Sequence, residues 1–167
     1  MRITLSAAAL AGCLVTPAYA DAVPPQTFVP GYTYSAIDAG GLFVRDASAS
    51  TLTAGVGYQF NRYYALEAGY EGVYVYGVSV NGGYIDGYGY LPLGRHSNVA
   101  LFSTVGASYV DSIYFGDYGY AASAVGVRAG GGIRWQFSDR WALRATARYE
   151  STITNAVVAT IGFTTRF

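Results

Sequence analysis

An alternation with a period of two residues, sustained for about ten residues and repeated along the chain, constrains this sequence more than any other feature. Between 51 and 60, Leu52, Ala54, Val56, Tyr58 and Phe60 alternate with Thr51, Thr53, Gly55, Gly57 and Gln59. Between 123 and 137, Val127, Ala129, Gly131, Ile133, Trp135 and Phe137 alternate with Arg128, Gly130, Gly132, Arg134 and Gln136. Leu143, Ala145, Ala147 and Tyr149 are set against Arg144, Thr146, Arg148 and Glu150. The last stretch sets Val157, Ala159, Ile161, Phe163 and Thr165 against Val158, Thr160, Gly162, Thr164 and Arg166. Successive side chains of a strand point to opposite faces, so each stretch predicts a strand with one greasy face and one small or polar face. Helical periodicity is absent. Eight strands are expected, at about 34–45, 51–60, 64–73, 82–93, 99–110, 123–137, 141–150 and 156–167.

The connections alternate in length. The links at 61–63, 94–98 and 138–140 are short and polar, whereas those at about 72–81 and 111–122 are longer and rich in Gly and Tyr. The links near 46–50 and 151–155 are short for that second end. Short turns at one end and longer loops at the other fit a bacterial barrel, with both ends of the barrel at the short-turn rim. Two features decide which face meets lipid. The greasy face carries Tyr58, Phe60, Trp135, Phe137, Trp141, Tyr149, Phe163 and Phe167, mostly near strand ends, as an aromatic interface girdle requires. The other face is rich in Gly and Thr, which suits the cramped interior of a small barrel better than a solvated surface. The expected fold is an all-β, eight-stranded antiparallel up-and-down transmembrane β-barrel over 34–167.

The N-terminal stretch has one early charge, Arg2, then an apolar run, then Ala18-Tyr19-Ala20. That is the layout of a secretory signal, so residues 1–20 are expected to be removed and 21–33 to form a periplasmic lead. A competing reading takes Leu10 to Cys13 as a lipoprotein signal with Cys13 lipidated, although it would leave a very short signal and ignore the site at Ala20. The apolar run is shorter than the ~20 residues a membrane helix needs. Cys13 leaves with the signal, so the remaining chain carries neither a disulfide framework nor a Cys-based metal site. All ten basic residues are Arg, against ten acidic residues, and no basic run or aromatic-basic interleaving points to nucleic acid.

The stretches 55–70 (GVGYQFNRYYALEAGY), 128–150 (RAGGGIRWQFSDRWALRATARYE) and 160–167 (TIGFTTRF) resemble the outer-membrane β-barrel family. That family includes the transmembrane domain of outer membrane protein A and the opacity-type surface antigens. The resemblance covers essentially the whole chain after the signal. It implies residence in the outer membrane of a Gram-negative bacterium, after secretion through the inner membrane, among outer-membrane lipids. Phe167, Phe163 and Ile161 are similar to the family's terminal signal for the barrel-assembly machinery, with Thr165 a weaker fit to it. The family includes adhesins, stability proteins and members without a known role, so the resemblance implies location more than activity. No peptidoglycan-binding domain is expected beyond Phe167, so that activity is not expected to carry over.

Other candidate chemistry is thin. His96 is adjacent to Ser97 in a short polar turn, where a hydrolase would need a positioned acid and an accessible Ser–His pair. The runs Gly40-Gly41, Gly82-Gly83 and Gly130–Gly132 precede no helix, so close packing or a sheet bend explains them better than phosphate binding. One His and scattered carboxylates give no metal-ligand spacing, and no cofactor is expected. The segments 70–84 and 109–123 leave two readings open: strands that extend past the bilayer with Tyr at the headgroups, or a surface that binds an unknown ligand.

Charge placement gives the sharpest expectation. The alternation turns Asp38, Glu67, Glu71 and Asp86 inward on one wall, and Arg128, Arg134, Arg144 and Arg148 inward on the other. Glu67, Arg134 and Arg144 fall near one level; Glu71, Asp86, Arg128 and Arg148 fall near a second. Arginine forks bridging to carboxylates would close the lumen. The expected function is therefore non-enzymatic, structural or surface-exposed, with a plugged lumen; the alternatives are a surface adhesion module and a small porin-like pore. If Asp86 points inward, Tyr84, Tyr88 and Tyr90 follow, and a bulge there is the expected way to spare the lumen those rings.

Overall fold

Every backbone donor and acceptor of a sheet edge needs a partner, and a closed barrel supplies one to each strand. The computed structural model describes residues 31–45, 47–75, 78–93, 98–115, 118–120, 123–152 and 155–167. Its strands are β1 (Tyr32–Val44), β2 (Ala47–Gln59), β3 (Tyr64–Val75), β4 (Val78–Pro92), β5 (Val99–Phe115), β6 (Tyr118–Tyr120), β7 (Ala124–Gln136), β8 (Trp141–Ser151) and β9 (Asn155–Arg166). All pair antiparallel in the order β4-β3-β2-β1-β9-β8-β7-β5-β6, and β4 pairs with β5 to close the ring. The three-residue β6 pairs with β5 just beyond the β5–β7 ladder, so the barrel has eight walls. The fold is the expected one.

Most strands run longer than the alternation alone predicts, while β7 is one residue shorter at each end. Tyr32 and Thr33, within the expected lead, already pair with Gln59 and Tyr58. The Gly/Tyr-rich stretches expected as loops at 72–81 and 111–122 are largely ladder: Val75 pairs with Val78, and Val78 with Phe115. Residues 1–30, which hold the expected signal, Cys13 and most of the lead, lie outside the described residues, as do His96 and Ser97.

Two of the short turns, at 61–63 and 138–140, are held by side-chain caps. Asn61 Oδ1 accepts from the backbone N–H groups of Tyr63 and Tyr64 at 2.8 and 3.0 Å. In the turn at 138–140, Ser138 Oγ accepts from Trp141 N–H at 3.0 Å. Both mimic a backbone turn with a side-chain acceptor.

The polarity is inverted relative to a soluble barrel. Ile37, Leu52, Val56, Leu66, Val127, Ile161 and Phe163 are exposed on the outside, while Asp38, Glu67, Asp86, Arg128, Arg134 and Arg144 are buried within. The strand period of two forces this division, and the apolar exterior needs an apolar solvent. All eight expected girdle residues face outward. Tyr58, Phe60, Trp135, Phe137 and Trp141 gather at the short-turn end, with Tyr58 against Phe60 at 5.2 Å and Trp135 against Phe137 at 5.7 Å between ring centroids. Tyr149 belongs to the other end, with the exposed rings of Phe43, Tyr70, Tyr74 and Tyr109. From Trp141 to Tyr149 the strand covers about 27 Å at ~3.4 Å per residue. Tilted about 40°, that spans roughly the height of a barrel's apolar band.

Strand β4 corrects one expectation. Tyr84, Asp86, Tyr88 and Tyr90 all point inward and are buried, with no bulge between them. The register shift lies earlier in the strand, at Asn81/Gly82, where Asp111 of β5 is passed over. Three of the lumen's rings, Tyr84 among them, fit because a glycine stands opposite each. Tyr34 is paired with Gly57, Tyr84 with Gly69 and Phe102 with Gly132. A Cβ on Gly69 would sit 2.7 Å from Tyr84 Cζ, and one on Gly132 would sit 2.8 Å from Phe102 Cζ. Each ring therefore occupies the space that its partner's missing side chain leaves.

Candidate functional site

The lumen is layered. Nearest the termini lies an aromatic layer in which Tyr34, Tyr88, Tyr90 and Phe102 pack with Ala36, Ala65 and Ala100. Tyr88 stacks on Tyr90 at 6.0 Å, and Phe102 lies 5.6 and 5.8 Å from them. Arg134 enters this layer: it donates to Tyr32 Oη at 3.2 Å and to Gln59 Oε1 at 3.5 Å, and lies 5.5 Å from the Tyr90 ring centroid. Arg134 and Arg144 are direct cross-strand partners. Like charges so placed repel, and the two guanidiniums diverge, one into each layer.

Arg144 makes the next layer. Its Nε and Nη2 donate to the Asp38 carboxylate at 2.7 and 2.5 Å, and its Nη1 and Nη2 donate to Glu67 at 2.7 and 2.9 Å. One guanidinium thus forks onto two carboxylates from β1 and β3, a geometry only its planar donor set allows. Thr53 Oγ1 adds a bond to Asp38 at 3.0 Å and Tyr84 Oη one to Glu67 at 3.0 Å.

The third layer is a cluster. Arg128 Nη2 lies 3.3 Å from Glu71 and 3.6 Å from Asp86, and its Nε lies 2.8 Å from Glu150. Arg148 reaches Glu71 at 2.6 Å and Glu150 at 2.8 Å. Tyr84 lies under the Arg128 guanidinium, 4.2 Å from ring centroid to Cζ. Glu150 is the site residue that the sequence reading of lumen acids passes over. Its signal was present, since it shares the inward parity of Arg144 and Arg148.

Two of these pairs are built the same way. Asp38, Gly162 and Arg144 stand in one row across β1, β9 and β8. Asp86, Gly106 and Arg128 stand in one row across β4, β5 and β7. In each row the middle residue is glycine, and a Cβ there would collide with the carboxylate oxygen of the Asp. The glycine keeps the intervening strand bare, so the charges meet over it. Residues of both charged layers line a cavity of only about 10 Å³. A single water needs ~10–15 Å³ of such space.

The expected assembly residues Ile161, Phe163 and Phe167 all face outward, on β9 and just past its end. Among the described residues no group of His, Cys, Asp and Glu is arranged to hold a metal ion.

A closed ring of eight antiparallel strands, greasy outside and charged within, is the fold of the small outer-membrane barrels. The solved structures this chain is similar to are of that kind. Neisserial surface protein A (NspA) aligns with a TM-score of 0.68 at 13% identity, over 84% of this chain and 99% of that one. The N-terminal β-barrel domain of Pseudomonas aeruginosa OprF aligns at 0.64 and 15% identity, over 82% and 99%. Ail, the attachment invasion locus protein of Yersinia pestis, aligns at 0.59 and 11%, over 83% and 100%. Ail has also been solved in complex with the heparin analogue sucrose octasulfate. No family description and no curated protein matches the sequence.

Proposed function

We propose that this chain is a non-enzymatic outer-membrane barrel with a structural or surface-exposed role, its lumen closed at rest by ion pairs and packed rings. The observation that carries the reading is the Arg144 fork, which ties β8 to carboxylates of β1 and β3 across the interior. The small void around it supports closure, because a chain of waters needs far more room than about 10 Å³. The two aromatic belts and the apolar exterior support the membrane setting, with the short-turn rim toward the periplasm. In that setting, lipids and the barrel-assembly machinery are its partners. Around the Arg144 fork the void is too small for a substrate, and Arg134 is taken up by Tyr32 and Gln59 in the aromatic layer.

Planar-bilayer recording tests closure. Purified wild-type protein is expected to give no steady, large single-channel currents; such currents would establish a porin-like pore and overturn the reading. Glu67→Ala is expected to lower stability or cause transient leakage, and no change in either would also count against it.

A second reading, recognition of a surface ligand, draws support from the exposed rings of Tyr70, Tyr74 and Tyr109 on the long-loop end. The Ail complex with a heparin analogue is a parallel for binding on this fold. Ligand pull-down with variants shortened in 70–84 and 109–123 tests it. Capture unaffected by both deletions would remove this reading.

A further inference from the structure

Beyond the charged layers the described residues line an open space in the lumen. A cavity of about 230 Å³ lies at the end of the barrel away from the termini, many times the space one water needs. Its walls are mostly apolar, with Leu42, Val44, Val73, Val80 and Val110 beside the polar Asn81, Ser108 and Thr152. Barrel interiors are normally polar, and nothing in the strand alternation requires five aliphatic side chains on the inward face. Leu42 and Val44 share their parity with Asp38, and Val73 shares its parity with Glu71, so the inward face changes character toward this end. A concave apolar wall with a few converging polar groups is the usual make-up of a small-molecule site.

Glu71 and Glu150 also line the cavity. They belong to the third layer, where three carboxylates (Glu71, Asp86 and Glu150) face two guanidiniums, Arg128 and Arg148. With all five ionised, the cluster is one positive charge short. Two of the three carboxylates, Glu71 and Glu150, are on the side where a ligand's head would arrive.

We propose that this mouth binds a small amphipathic monocation, its aryl or alkyl body against the aliphatic wall and its ammonium group at Glu71 and Glu150. The binding site rests on the closed-lumen reading only for its floor. Conductance tests that floor, whereas the experiment here reads binding, so the two failures are distinguishable.

The experiment uses the folded barrel in lipid nanodiscs and ligand-observed NMR, with benzylammonium, benzyl alcohol and benzoate as probes and empty nanodiscs as the blank. Benzylammonium is expected to bind saturably above the blank, about tenfold more tightly than benzyl alcohol. Benzoate is expected not to bind. Val73→Phe, which fills the cavity, is expected to weaken benzylammonium about tenfold or more, and Val44→Phe serves the same purpose if the first variant does not fold. Absence of saturable binding overturns the site. Equal binding of all three probes overturns the cationic head, and unchanged affinity in a folded filling variant overturns the location.

Discussion

Replacing Arg144 with Met keeps most of the side-chain volume and removes the charge that holds two buried carboxylates. Arg144 makes four close contacts, two to Asp38 and two to Glu67, at 2.5 to 2.9 Å. Removing one partner of a buried ion pair costs about 3–5 kcal/mol, because the other is left desolvated and uncompensated. Two carboxylates are stranded here, yet the cost does not double. Asp38 keeps the Thr53 hydroxyl at 3.0 Å, and Glu67 keeps the Tyr84 hydroxyl at 3.0 Å. The expected loss is therefore about 3–5 kcal/mol. With a denaturant slope of ~2 kcal/mol/M, that lowers the urea midpoint by roughly 2 M. Reversible unfolding from lipid vesicles, followed by the heat-dependent gel shift and tryptophan fluorescence, reads it. Adding Asp38→Asn and Glu67→Gln to Arg144→Met is expected to recover most of the loss, since a neutral buried cluster carries no stranded charge. A single variant within about 1 kcal/mol of wild type would refute the reasoning, because a fork that tight and buried cannot be idle. So would a triple variant no more stable than the single one.

The remaining perturbations probe other parts of the barrel. Gly162→Ala places a methyl group where the Asp38 carboxylate crosses β9, and is expected to cost about 1–3 kcal/mol in the same unfolding assay; wild-type stability would mean that the row is not sterically set. Ile161 is 62% exposed on the outer face near mid-strand. Ile161→Arg should cost about 2–4 kcal/mol in a bilayer, and a neutral effect there would argue against lipid contact. Deleting Phe167 is expected to leave expression normal but give poor outer-membrane insertion and periplasmic degradation; wild-type amounts of heat-modifiable, membrane-extracted barrel would sink the assembly role given to it.

Parity was legible in the sequence because it follows from backbone geometry alone. That is why Asp38, Glu67, Glu71, Asp86 and the four arginines can be placed inward without coordinates. Strand length was less so. Gly, Ser and Tyr in 72–81 look like turn chemistry, yet Tyr74 pairs with Ser79 and Val75 with Val78, because a ladder needs only backbone groups. The rings of β4 were the hardest case. Whether Tyr84 fits depends on Gly69 standing opposite, a fact of register between strands that no single segment contains. The same is true of Arg144, whose partner Asp38 is two strands away across Gly162. Levels counted along strands group Arg134 with Glu67, but they do not carry the cross-strand repulsion that sends Arg134 toward Tyr32 and Gln59.

The row of Asp38, Gly162 and Arg144 lies across the seam where the first strand meets the last. Neither charge is on β9, the strand between them, so their bond depends on a third party being docked in register. A β9 slipped by one residue would turn Thr160 and Thr164 outward and bring a side chain, not a bare backbone, between the carboxylate and the guanidinium. The latch therefore checks the last strand before it shuts, and a nascent barrel with a misaligned seam stays open and easy to unravel.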